Sequence, residues 1–151
     1  MYDHGHAGSA RACVLEHGDD PAGVFQRASL AASQHDYAAA DPLLRQLLGA
    51  QRPGTAWHEN ANWALAALAE VRGQLGRSAQ FLRDVQADAE SRALPADYIG
   101  AALAMGWLDL HYGRRPDDAV RKVAAALKLP RSTVGRAVRG VLRTRARGLA
   151  S

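Results

Sequence analysis

Between Lys128 and Arg147 the chain carries six arginines, one lysine and no acidic residue. Arginine offers a planar fork of N–H donors that fits O6 and N7 of guanine in a DNA major groove, and equally the oxygens of a phosphate. Spacing divides the set. Ser132, Gly135, Arg136, Arg139 and Arg143 recur at threes and fours, the free face of one helix. Such a helix enters the groove by its N-terminal end, which assigns Arg131, Ser132, Arg136 and Arg139 to base reading. Lys128, Thr133, Arg143, Arg145 and Arg147 are assigned to phosphate, where they supply affinity but little specificity.

Other chemistry is sparsely represented. His4, His6, Cys13 and His17 are potential metal ligands, but they lack the tight pairs separated by a loop that zinc sites use, so no metal is assigned. His58 and Glu59 are neighbours, project about 100° apart on a helix and do not converge; Asp109 and His111 fail for the same reason. The motifs GxxxxGK[ST], GxGxxG, HExxH, CxxC and GxSxG are all missing. Neither an enzyme nor a cofactor is expected.

The elements that must hold the basic residues lie between Asp118 and Leu142. Val120, Val123, Ala124 and Leu127 form one helical stripe; Val134, Ala137, Val138 and Val141 form a second. Pro130 has no backbone N–H and pushes Leu129 out of the α region, so the first helix should stop near Lys128. Ser132 or Thr133 can cap the second. Two stripes around a short irregular step make a helix-turn-helix.

The run LKLPRSTVGRAVR resembles the helix-turn-helix of bacterial sigma-factor region 4 and of regulators built on it, and LDLHYGRRPDDAVRKVAAAL is similar to what precedes that turn. Some phage Q-type late-gene antiterminators look similar here. About forty of the 151 residues are covered. The resemblance implies a transcription regulator whose partners are double-stranded DNA, RNA polymerase and, where two half-sites are read, a second copy of the chain. No heptad seam specifies that dimer. Two departures stand out. Lys128 occupies the turn position usually held by glycine and must adopt glycine's left-handed conformation. Gly135 and Gly140 lie inside the second helix, each at a cost of about 1 kcal/mol relative to alanine.

Net charge follows the same division. Residues 1 to 112 carry eight Lys and Arg against thirteen Asp and Glu, a net of −5; residues 113 to 151 carry eleven against two, a net of +9. A basic segment of that density suits a polyanion. Residues 1–19 are expected to form a flexible terminus, 20–111 an acidic helical module for scaffolding or partner binding, 112–147 the basic DNA-binding unit, and 148–151 a tail. Hydrophobic content of 48% with six prolines argues for a folded, all-α protein: a multi-helix N-terminal bundle followed by the helix-turn-helix. No run of eighteen apolar residues exists, and the N-terminus lacks the order of a signal peptide, so a cytoplasmic chain without membrane contact is expected. The single Cys13 fits a reducing compartment.

Upstream, Asp20-Pro21 and Asp41-Pro42 read as helix starts, with Gly49 or Gly54 ending the second helix. A long periodic segment from Ala56 to Leu75 should supply the centre of the core, Gly76 should break it, and further helices should end near Ala93 and run from Pro95 to His111. Trp57, Trp63 and Trp107 are expected to pack rather than to form a stacking platform. This series also admits an alternative. HDYAAADPLLRQLL, HYGRRPDDAVRKVAAAL and GWLDLHYG resemble parts of tetratricopeptide repeats, implying an adaptor that binds a protein and no DNA. Against a regular array stand the turn spacings, with His35, Gly76 and Gly113 lying 41 and 37 residues apart, and Pro42, which would sit inside a repeat helix.

Overall fold

The computed structural model describes residues 19–113 and 115–128, together with Arg131 and Gly135. Among them the regular elements are helices, and the fold is all-α: α1 Pro21–Ser33, α2 Tyr37–Ala50, α3 Ala56–Val71, α4 Leu75–Ser91, α5 Pro95–His111 and α6 Pro116–Leu127.

Local chemistry sets the boundaries. Asp20 caps α1 by accepting the Gly23 N–H at 2.6 Å, with Pro21 as first helical residue. Three of the turns close in one way. After α1, α3 and α4 a residue with positive φ follows the helix: His35, Gly73 and Ala93. In each the next N–H reaches back to a carbonyl of the last turn: Asp36 to Ala31, Gln74 to Ala69 and Leu94 to Ala89, at 2.8 to 2.9 Å. This Schellman closure satisfies the helix end and sends the chain straight into the next helix. Ala93 adopts it without glycine's freedom. Ala93→Gly is therefore expected to raise stability by about 0.5 to 1 kcal/mol, read as a higher urea midpoint with an unchanged slope.

Two expected boundaries are corrected. Asp41-Pro42 does not start α2, because Asp36 caps it five residues earlier through the Ala39 N–H at 3.0 Å. Pro42 thus lies inside a helix. It deprives the Ala38 carbonyl of a partner. The first turn is held from outside instead: Arg72 donates to the Tyr37 carbonyl at 3.2 Å and pairs with Asp41 at 3.3 Å, and Asp41 also pairs with Arg45. The long helix ends at Val71 rather than Leu75, since Gly73 supplies the left-handed turn; Gly76 is the second residue of α4 and breaks nothing.

Each helix packs on its neighbours in sequence, and α1 also approaches α3. Ala61, Leu65 and Leu68 of α3 are buried at the centre, between Ala28 of α1, Ala40, Leu44 and Leu47 of α2, and Leu82 and Val85 of α4. Trp63 carries α3 across to α5, where a β-carbon at Gly100 would sit 3.6 Å from the indole. The Glu70 carboxylate of α3 acts on the Tyr112 hydroxyl, just past α5, and raises it above its ordinary value. The odd-numbered helices therefore lie side by side.

The boundary expected at residue 112 falls in the turn between α5 and α6, which are closely packed. A β-carbon on Gly106 would come within 2.9 Å of Val123, so the missing side chain permits the approach. Buried Asp109 ties the pair together, binding Arg115 at 3.0 Å and Lys122. No helix among the described residues is long and apolar enough to cross a membrane.

Candidate functional site

The residues assigned to DNA lie mostly outside the described residues: Ser132, Thr133, Arg136, Arg139, Arg143, Arg145 and Arg147. So do His4, His6, Cys13 and His17. Three positions are described. Lys128 ends α6 with φ 53° and ψ 34°, the left-handed conformation its place after Leu127 requires, and its N–H returns to Ala124 and Ala125. It borders a cavity of about 460 Å³ beside Leu94, Tyr98, Ile99 and Ala126. Arg131 is helical and exposed. Gly135 is helical and buried, so it does not stand in water with the free stripe; the lack of a side chain agrees instead with the other role its place in the sequence allows, a close approach to the first helix.

Two polar clusters hold α3 to the α4 and α5 side. His58 Nδ1 lies 2.5 Å from Asp88, and since a carboxylate only accepts, that nitrogen carries the hydrogen. The same carboxylate accepts the Gly54 N–H at 2.7 Å and the Asn62 amide at 3.5 Å. Gly54 is required there, having φ 82° and space for a β-carbon only 2.8 Å from the Ser91 hydroxyl. Glu59 turns the other way, to Arg92 at 2.8 Å. The neighbours His58 and Glu59 thus diverge as helical geometry demands and serve as anchors between elements.

Burial raises the Glu59 carboxyl above its usual 4.5; repulsion from Asp97 adds to the shift and Arg92 opposes it. Because the folded value is the higher one, the stability Glu59 contributes is present in full below 4.5 and lost as pH rises through the folded value. Glu59→Gln should therefore gain on the wild type as pH is raised from about 4.5 to neutrality. Urea unfolding of both proteins across that window checks this, and a constant or shrinking difference would contradict it.

A third feature is the distribution of charge over the helix surfaces. Exposed positions of the odd helices are uncharged throughout: Ser29 and Ser33 on α1; Ala56, Asn60, Ala67 and Val71 on α3; Pro95, Ala96, Leu103 and Trp107 on α5. The even helices expose charge, with Arg45 on α2, Arg77, Arg83 and Glu90 on α4, and Asp117 and Arg121 on α6. The described large apolar residues that stand in water are Val71 at 63%, Leu103 at 48%, Trp107 at 49% and Tyr112 at 52% exposure. All belong to α3, to α5 or to the residue following α5. Trp107 is thus no core residue; it stacks on His111, one turn on, with ring centres 3.3 Å apart. Trp57 and Trp63 do pack, the former against Phe25 and the latter into the α4–α5 cluster. Val71 and Leu103 share the helical period of the core residues beside them, yet nothing among the described residues covers them.

On the same side a groove of about 380 Å³ runs between α1, α2 and α3, lined by Ala32, Tyr37, Leu44, Ala64, Ala67 and Val71. Tyr112 carries the polar edge of this surface, where the Glu70 carboxylate pushes its hydroxyl above the usual 10. The arrangement offers wide apolar contact with few hydrogen-bonding groups, which suits a protein surface. Compared with known protein families, curated proteins and solved structures, the chain finds no match.

Proposed function

We propose that the chain is a helical scaffold that binds a protein partner through the face formed by α1, α3 and α5, an adaptor in the manner of tetratricopeptide proteins. One observation carries this reading: among the helices, exposed charged residues belong to α2, α4 and α6, while the exposed positions of α1, α3 and α5 are uncharged, Trp107 and Leu103 among them. A surface helix ordinarily turns its charged side to water, and aromatic residues left there are typical anchors of an interface. The interior position of Pro42 also removes one objection to a repeat-like arrangement.

Photo-crosslinking in cells tests the reading. With benzoylphenylalanine at Leu103, one identified protein should be trapped repeatedly; with the same group at Arg83 on α4 it should not. Equal trapping at both positions, or none at Leu103, would refute it.

A second reading keeps the basic end as a DNA reader. It is favoured by Lys128, whose left-handed turn closes α6 where a helix-turn-helix needs it, and by exposed Arg131 beyond. Anisotropy titration with random duplex DNA at two salt concentrations tests this. Salt-dependent binding should be lost in the double variant Arg136→Ala, Arg139→Ala; no binding by the wild type at low salt would dismiss the reading.

A further inference from the structure

We infer that the partner of the α1–α3–α5 face is a second copy of the chain. The two copies pack face to face about a twofold axis along α3, and Trp107 of each enters the groove between α1 and α3 of the other. The inference rests on the partner-binding reading above and names the partner.

A twofold contact is made by one surface with itself, so that surface must carry both a projection and the hollow that receives it. The groove of about 380 Å³ is the hollow. Buried Leu44 of α2 is its floor and exposed Ser29, Ala67 and Val71 are its rim, so it opens on the uncharged face. The projection is Trp107 with Leu103 beside it, each about half exposed, and the indole is held by its stack on His111.

The fold places the two in register. Turns at residues 34–36, 51–55, 72–74 and 92–94 fold each helix back on the one before it. Alternate helices therefore run in the same direction. Leu68 meets the groove and Trp63 meets α5 from flanks of α3 about 140° apart, which puts α1 and α5 on opposite sides of it. A β-carbon on Gly100 would lie 3.6 Å from the Trp63 indole, which sets those two residues level. Trp107 is seven residues beyond Gly100 and Val71 eight beyond Trp63, so projection and groove stand at the same height. Half a turn about an axis along α3 exchanges the two sides and keeps the height. Each indole then lies over the other copy's groove, and both grooves close at once.

Charge and area agree with this pairing. The axis sets the two copies of α3 against each other, and the exposed residues there, Ala56, Asn60, Ala67 and Val71, are uncharged and mostly small. Like charges do not meet, and the backbones can approach closely. Three helices of up to 17 residues, about 9 Å apart, offer a face of about 25 by 28 Å, or about 700 Å². A stable interface buries about 800 Å² per partner.

Sedimentation of the full chain over a wide range of concentration is the test. The wild type should run as a dimer. Trp107→Glu and Ala67→Arg should each weaken it about a hundredfold, with the helical circular-dichroism signal unchanged. Mixed in equal amounts, the two variants should pair again. The Ala67→Arg chain still supplies an indole to the intact groove of the Trp107→Glu chain, and at the second contact the introduced arginine meets the introduced glutamate. A monomer at every concentration, species larger than a dimer, a dimer indifferent to both substitutions, or no recovery on mixing overturns the inference. The crosslink at Leu103 separates that failure from failure of the reading beneath it: a monomeric chain that traps a different protein there keeps its binding face, and one that traps nothing loses the face as well.

Discussion

Replacing Asp88 by alanine is expected to lower the unfolding free energy by about 3 kcal/mol and to release the loop between α2 and α3. The carboxylate is buried and serves three donors at once: the Gly54 backbone, the His58 ring and the Asn62 amide. Alanine removes the acceptor from all three, and Asn62, fully enclosed, keeps only the His58 ring nitrogen at 3.2 Å. A net loss of roughly 1 kcal/mol for each abandoned group is the ordinary scale. For a chain of this size the melting temperature should fall by roughly 10 °C. Asp88→Asn keeps one acceptor for Gly54 and should lose about half as much. Urea unfolding of the two variants checks the ordering. A loss below about 1 kcal/mol for alanine would mean that the cluster does not anchor the loop.

The largest functional effect is expected from Trp107→Glu. The indole is half exposed, stacks on His111 and stands one turn from Leu103 on the uncharged side of α5. A buried aromatic anchor is worth about 2 to 4 kcal/mol in a protein interface, so affinity for the partner trapped at Leu103 should fall about a hundredfold or more. Stability should hardly change, because the side chain already meets water in the free protein. Arg83→Glu on α4 is the matched control and should leave binding intact. Calorimetric titration of both variants separates the outcomes. Equal loss in the two would point to general charge rather than to this face.

Much of the fold was legible in the residues. Asp20-Pro21 marked α1 and Leu94-Pro95 marked α5, because a cap and a proline act within one turn of chain and need no distant partner. The need for a left-handed Lys128 was legible for the same reason. Signals that depend on the rest of the molecule were not. Pro42 reads as a helix start unless one knows that Arg72, thirty residues on, supports the first turn of α2. Gly73 and Gly76 are equally plausible breaks by composition, and the closure from Gln74 to Ala69 selects the first. The apolar face of α5 was hidden because helical period marks an apolar position without saying whether a neighbour covers it. Leu103 and Met105 belong to one apolar run, yet the first is 48% exposed and the second 6%. The exposed-charge pattern could have given a hint, since α3 and α5 lack lysine and arginine altogether while their neighbours do not. The pairing of His58 with Asp88 had no local signal at all.

Amide hydrogen exchange of the full chain, alone and with the crosslinked partner, tests the central claim most directly. Protection on binding should appear in peptides from α3 and α5, extend to α1, and spare α2, α4 and α6. Protection centred on α4 and α6, or confined to the basic residues beyond Lys128, would contradict it.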